Sequence, residues 1–202
     1  MKILLRVIAV GLGVVILFVS MTRAGLNLMA EDGAYAGLKN DEIKFLKNFD
    51  DGETLAGTYK LPQTGMLPSN ILYGFKRVRD FLWITFSQGN EKVKVALLIA
   101  DKKAVEFEKL AKDGNRNLAI ESGNEAVDKL EYSDGLIKQL KVTDAQLRQF
   151  RTQILWAGFA YGEIFTRNKG EYELDQENYS KLINRIDDWN KNQEKTRFTW
   201  NY

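Results

Sequence analysis

A chain of 202 residues suits one domain plus a targeting segment, and 45% hydrophobic content is enough for a core. It contains neither histidine nor cysteine, which excludes Ser-His-Asp and Cys-His nucleophilic catalysis, His/Cys zinc sites, haem ligation by histidine, iron–sulfur clusters and disulfides. Lys2, Arg6 and Arg23 precede residue 25; without these three of the 29 basic residues, 26 stand against 27 acidic, and so neutral a body argues against nucleic-acid binding.

Residues 1–24 read as a signal peptide or a retained membrane anchor. Val7–Met21 is a run of 15 residues without a charge, preceded by Lys2 and Arg6. Positive charge before an apolar run keeps the N-terminus inside and sends the rest across. The run is shorter than the roughly 20 residues of an ordinary span, and Ile3–Leu5 with a snorkelling Arg6 extends it to a marginal one. Thr22-Arg23-Ala24 is a poor cleavage site, and the better Ala34-Tyr35-Ala36 lies far downstream. Anchor and cleaved peptide both stay open.

Residues 25–60 read as a linker with a short helix. Gly25–Asn40 is small and polar, while Ile43, Leu46 and Phe49 sit near helical spacing over 41–50. Asp51-Gly52 and Ala56-Gly57 then break the pattern, and Pro62 and Pro68 keep 61–69 extended or turning.

Residues 61–195 read as the helical domain. A helix beginning near Asn70, a good N-cap type, carries Leu72, Phe75, Val78, Phe81, Leu82 and Phe86 at spacings of three and four. A second, about 91–112, has a stripe from Val93 to Phe107. A third, about 116–141, is weaker because Gly123 and Gly135 each cost about 1 kcal/mol relative to alanine, and a kink or break is expected near Gly135. Thr143-Asp144-Ala145-Gln146 is a capping box that opens a fourth, and about 176–195 is a fifth. Short loops predict antiparallel neighbours. The expected fold is all-α: an antiparallel bundle of four to five helices after an N-terminal apolar helix. Trp83, Trp156 and Trp189 are expected in or beside the core, and residues 196–202 form an aromatic tail with Phe198, Trp200 and Tyr202.

Motifs for chemistry are few. Leu61-Pro62-Gln63-Thr64-Gly65 matches a sortase signal but lacks the apolar segment and basic tail that follow one. Glu106/Glu108, Glu121/Glu125 and Asp187/Asp188 read as solvated helix faces, as does the cluster Lys76, Arg77, Arg79. Glu171, Glu173, Asp175 and Glu177 lack the EF-hand arrangement of ligands and glycine. No catalytic residue, metal site or cofactor is predicted.

Leu67, Pro68, Asn70, Tyr73, Lys76 and Arg77 make one pattern: Leu-Pro, a polar turn, an aromatic, then Lys-Arg. It resembles the opening of a bacterial helical family called domain of unknown function 5667. Lys92, Ala96, Leu97, Ala100 and Lys103 fit that family's alanine-rich second helix, and the resemblance spans about residues 60–140. The family commonly has proline where this chain has Ile71, so the first helical turn is not pre-set here. The resemblance implies an exported or membrane-anchored protein and a structural role for the motif. Together these features predict a non-enzymatic cell-envelope protein on the outer face of the cytoplasmic membrane or secreted. The membrane is met through the N-terminal segment, and a protein partner or a structural role falls to the helical domain. A small-ligand bundle is the alternative, with Gly158 and Gly162 beside Tyr161 leaving room for a pocket; a carboxylate-only, glycan-cleaving enzyme ranks last.

Overall fold

The computed structural model describes residues 41–49, 52–63, 65–141, 143–167 and 176–197. All of them belong to one unit that begins at Asn40. The expected targeting segment, residues 25–40 and residues 198–202 of the tail lie outside the described residues.

Strand β1 (Asp41–Asn48) pairs antiparallel with β2 (Thr54–Leu61), in a register that sets Asp41 opposite Leu61 and Asn48 opposite Thr54. The short helix expected over 41–50 is therefore a strand, and the second half of the expected linker is a hairpin. Two periods compete in this segment. Ile43, Leu46 and Phe49 fit a helix, whereas Ile43 and Phe45 fit a strand. The strand wins because β2 alternates as well, turning Leu55, Gly57, Tyr59 and Leu61 to the same inner face. Ile43 and Phe45 are buried and Leu46 is 68% exposed. Gly52, at φ +83°, closes the turn and donates its N–H to the Phe49 carbonyl at 3.0 Å. A Cβ at Gly57, opposite Phe45, would lie 2.5 Å from the Phe45 ring. Glycine there lets the ring lie across the strand.

Five helices follow: α1 (Tyr73–Phe86), α2 (Gly89–Lys112), α3 (Arg116–Ile137), α4 (Asp144–Thr166) and α5 (Gln176–Arg197). The described residues are thus mostly helical, with the hairpin as an addition the sequence did not announce. Lys103 pairs with Glu125 and Phe107 lies beneath Gly123, so α2 and α3 run in opposite directions. Asp101 and Phe107 of α2 meet Tyr161 and Phe165 of α4 in the same order, so those two helices are parallel. Tyr179 and Asn190 of α5 donate to the Phe165 and Gly158 carbonyls of α4 in reversed order. Helices α2 to α5 therefore alternate in direction.

The stripe expected from Val93 to Phe107 is the buried face of α2, and Leu130, Ile154, Tyr161 and Leu182 are among the central residues of the other three. The capping box forms at α4, where Thr143 and Gln146 each bond the other's backbone N–H. Helix α3 ends at Ile137 and passes through both glycines without a break. A Cβ at Gly123 would come within 2.5 Å of Leu182 and 3.1 Å of Phe107. Close approach of α2 and α5 is what that glycine permits. The hairpin caps one side of the bundle through Phe45, whose ring centre lies 5.7 Å from Trp156 and 5.6 Å from Phe159. Trp156 is half-buried and Trp189 buried, in line with expectation.

Candidate functional site

The six motif residues come together at the start of α1. Leu67 packs against the bundle core and Pro68 is half-buried. The Asn70 side chain accepts the Leu72 N–H at 2.9 Å, and its carbonyl accepts the Tyr73 N–H at 2.9 Å. Together these bonds close a turn over residues 70–73 ahead of the helix. That moves the helix start from the expected Asn70 to Tyr73, behind Leu72 as an N-cap without a side-chain bond.

Helix α1 is mounted with its polar side inward. Tyr73, Lys76 and Asp80 are its buried residues. Its apolar stripe, which ordinary amphipathic packing would assign to the core, faces solvent: Ile71 is 95% exposed, Phe75 76%, Phe81 67% and Val78 57%. Phe86 and Leu72 are exposed too. At 100° per residue the exposed Phe81, Val78, Phe75 and Phe86 share one arc, and Arg77 and Arg79 lie beyond its two edges, paired with Glu125 at 3.4 Å and Asp80 at 2.6 Å. The solvated Lys76-Arg77-Arg79 face expected from the sequence is corrected accordingly. Arg77 and Arg79 are on the surface or near it, and Lys76 is buried.

The seat beneath α1 explains the inversion. Glu106 of α2 has no exposed surface. Its carboxylate takes Lys76 Nζ, the Tyr73 hydroxyl at 2.9 Å and Lys103 Nζ at 3.2 Å. Lys103 also donates to the Tyr73 oxygen and pairs with Glu125, which Arg77 reaches at 3.4 Å. Lys76 donates onward to the Met66 carbonyl at 3.3 Å, tying the lead-in to the cluster. Burial, helped by the charge on Glu125, holds the Tyr73 hydroxyl well above the ordinary phenol range, so it remains a donor. Burial pulls Lys76 down to about 8 against the charge of Asp80, with Lys103 adding to the fall. A buried carboxylate and a buried ammonium without partners cost several kcal/mol each. Turning the apolar side of α1 inward would remove Lys76 and Tyr73 from Glu106, so the charged seat selects the orientation.

Glu106 and Glu108 are therefore not a solvated pair. Glu108 is also buried, and although burial alone would raise its carboxyl, bonds from Lys112 and Arg167 hold it below the usual carboxylate range. Asp187 and Asp188 are exposed and Glu121 is exposed, as expected. A carboxylate the sequence did not single out is Asp101, 2% exposed, which accepts from Tyr161 at 2.6 Å and Tyr59 at 3.1 Å. Burial raises it to about 7 against the two tyrosine bonds. It fastens β2 to the bundle. Its lone signal in the sequence is an aspartate inside an apolar helical stripe.

Among the described residues, the cleft beside these groups is small. Trp189 and Asn190 fill the space beside Gly158, where a Cβ would lie 2.5 Å from Asn190 Oδ1, so the expected room next to Tyr161 is occupied. A cleft of about 200 Å³ opens between Pro68, Tyr73, Arg77, Lys103, Leu118 and Ser122. That is below the ~300–1,000 Å³ of ordinary small-molecule pockets. A larger, open groove of about 480 Å³ runs past Glu131, Arg185 and Trp189, but Arg185 is already held by Asp128 and Glu131, both at 2.7 Å. Among the described residues no group of three or more acidic side chains is placed to hold a metal ion, and no helix is long and apolar enough to cross a membrane. No family, curated protein or solved structure matches the chain.

Proposed function

We propose that the chain is a non-enzymatic docking module of the cell envelope, working outside the cytoplasmic membrane, in which the outer face of α1 is the working surface. The observation that carries this reading is the inversion of α1. Ile71, Phe75, Val78 and Phe81 stand in solvent while Lys76 and Tyr73 are buried. Burying a large apolar side chain gains about 1.5–3 kcal/mol, so four exposed in a row leave a large unused gain for a partner. Contiguous apolar patches of this kind mark interaction surfaces. The chemistry of the interior supports the same view. Glu106 and Glu108 are held by fixed partners, which speaks against that pair as the acid and base of glycan cleavage. The apolar N-terminal run, the near-neutral body without a basic stripe, and the resemblance to domain of unknown function 5667 belong to the same proposal. They support a role at the envelope rather than on nucleic acid.

The test is substitution of the outer face alone. Phe75→Ser with Phe81→Ser should leave the melting temperature within a few degrees of the parent, because neither ring supports the core. The same pair should release the folded protein from envelope fractions or from its complexes. Retention identical to the parent chain would remove α1 from consideration as the working surface.

A further inference from the structure

We infer that the cleft between the lead-in, α1 and α3 is a binding site for a small zwitterion, an α-amino acid with a compact apolar side chain. The outer face of α1 plays no part in it. Ser122 is the residue that points to a ligand. It is 2% exposed and lines the cleft, yet among the described residues its hydroxyl has no hydrogen-bond partner. Other hydroxyls on these helices turn back on their own backbone. Ser133 of α3 donates to the Lys129 carbonyl at 2.7 Å, and Thr166 of α4 to the Gly162 carbonyl at 2.8 Å. Ser122 makes no matching bond to Leu118 and offers its hydroxyl to the cleft instead. Buried hydroxyls are nearly always bonded, so whatever fills the cleft is the missing partner. The rest of the lining favours a zwitterion over water alone. Lys103, at the back, already gives its three N–H donors to Glu106, Glu125 and Tyr73. Two charges remain at the rim. Glu121 makes no ion pair among the described residues and can take an ammonium. Arg77 gives Glu125 one of its five N–H groups, at 3.4 Å, and keeps the others for a carboxylate. Arg77 and Lys103 balance Glu121 and Glu125, so the cleft prefers neither a simple cation nor a simple anion. Half-buried Pro68 and Leu118 add an apolar wall for a short side chain. At roughly 30 Å³ per water, a cleft of about 200 Å³ takes on the order of six heavy atoms, the size of alanine.

The probe is alanine, titrated into the full chain while backbone amides are followed by NMR. Saturable shifts are expected at residues 68–77 and 118–125 and not elsewhere in the bundle. Acetate, methylammonium and glycerol carry the carboxylate, the ammonium or the heavy-atom count alone, and each should bind weaker by about ten-fold or more. Ser122→Ala should weaken alanine binding several-fold and leave the melting temperature at or above that of the parent, because the hydroxyl has no partner inside the protein to lose. Glu121→Gln, at an exposed position, should weaken alanine binding and leave acetate unchanged. Glycerol binding as well as alanine would make the cleft a pocket for neutral polar solutes and overturn the zwitterion. A lower melting temperature for Ser122→Ala would show that the hydroxyl serves the fold rather than a ligand, and would also overturn it. Amides that do not move with alanine, or an affinity unchanged in both variants, would remove the site altogether.

Discussion

Asp101 sits where a carboxylate is least at home, on the inner side of α2 beneath two tyrosines, and its ionisation should be visible in the stability of the protein. Its folded value of about 7 lies above the ~3.9 of an unfolded aspartate. Between those values the folded state binds more protons than the unfolded one, so this group's contribution is full below about pH 4 and is lost as pH rises to about 7. Asp101→Asn should therefore gain on the parent chain as pH rises from 5 to 8, by on the order of 3 kcal/mol. Denaturant titrations at a series of pH values read this directly, and parallel curves for the two proteins would refute the assignment. Glu106 behaves differently because cations already surround it. Lys76→Met leaves its carboxylate short of a partner and should cost about 3–5 kcal/mol. Adding Glu106→Gln should restore part of the loss. A double-mutant cycle with zero coupling would mean that the pair is not the anchor of α1.

Among the elements, α3 offers the sharpest contrast, because its two glycines have the same propensity and opposite surroundings. Alanine gains about 1 kcal/mol over glycine in a helix interior. Nothing stands within 4 Å of a Cβ at Gly135, so Gly135→Ala should raise the unfolding free energy by up to that amount. At Gly123 a Cβ would press on Leu182 and Phe107, and overpacking of this kind costs about 1–3 kcal/mol. Gly123→Ala should destabilise, and equal effects at the two positions would contradict the packing. The same distinction shows where the sequence was legible. Helices α2 to α5 repeat an apolar stripe over six turns or so, and the stripe, the turns and the capping box agree with one another. The hairpin was hidden because Ile43, Leu46 and Phe49 mimic a helix over ten residues, too short a window for one period to exclude the other. In α1 the periodicity was readable and the facing was not. Only the pairing of Lys76 with Glu106, 30 residues apart, decides which side turns inward, and no local pattern contains it. Of the motif, the turn at Asn70 could be read from residue types alone. The Tyr73-Lys76 cluster could not, because its other half lies on α2 and α3.

Across the whole molecule the bundle and α1 are held by different forces, and their opening should separate. Helices α2 to α5 share a continuous apolar core from Val93 to Trp189. Helix α1 contributes no residue to that core beyond its lead-in, and it is fixed by ion pairs and hydrogen bonds at Tyr73 and Lys76. Elements with few buried apolar contacts open at lower free energy than the global transition. Native-state hydrogen exchange should therefore show amides of 76–86 exchanging well before those of 96–107, with α1 opening as a unit. High salt should widen the gap only slightly, because the cluster is buried and weakly screened. If 76–86 exchanges at the rate of α2 in water, α1 is a full member of the cooperative core. Its exposed face would then be a consequence of global packing rather than a separately mounted surface.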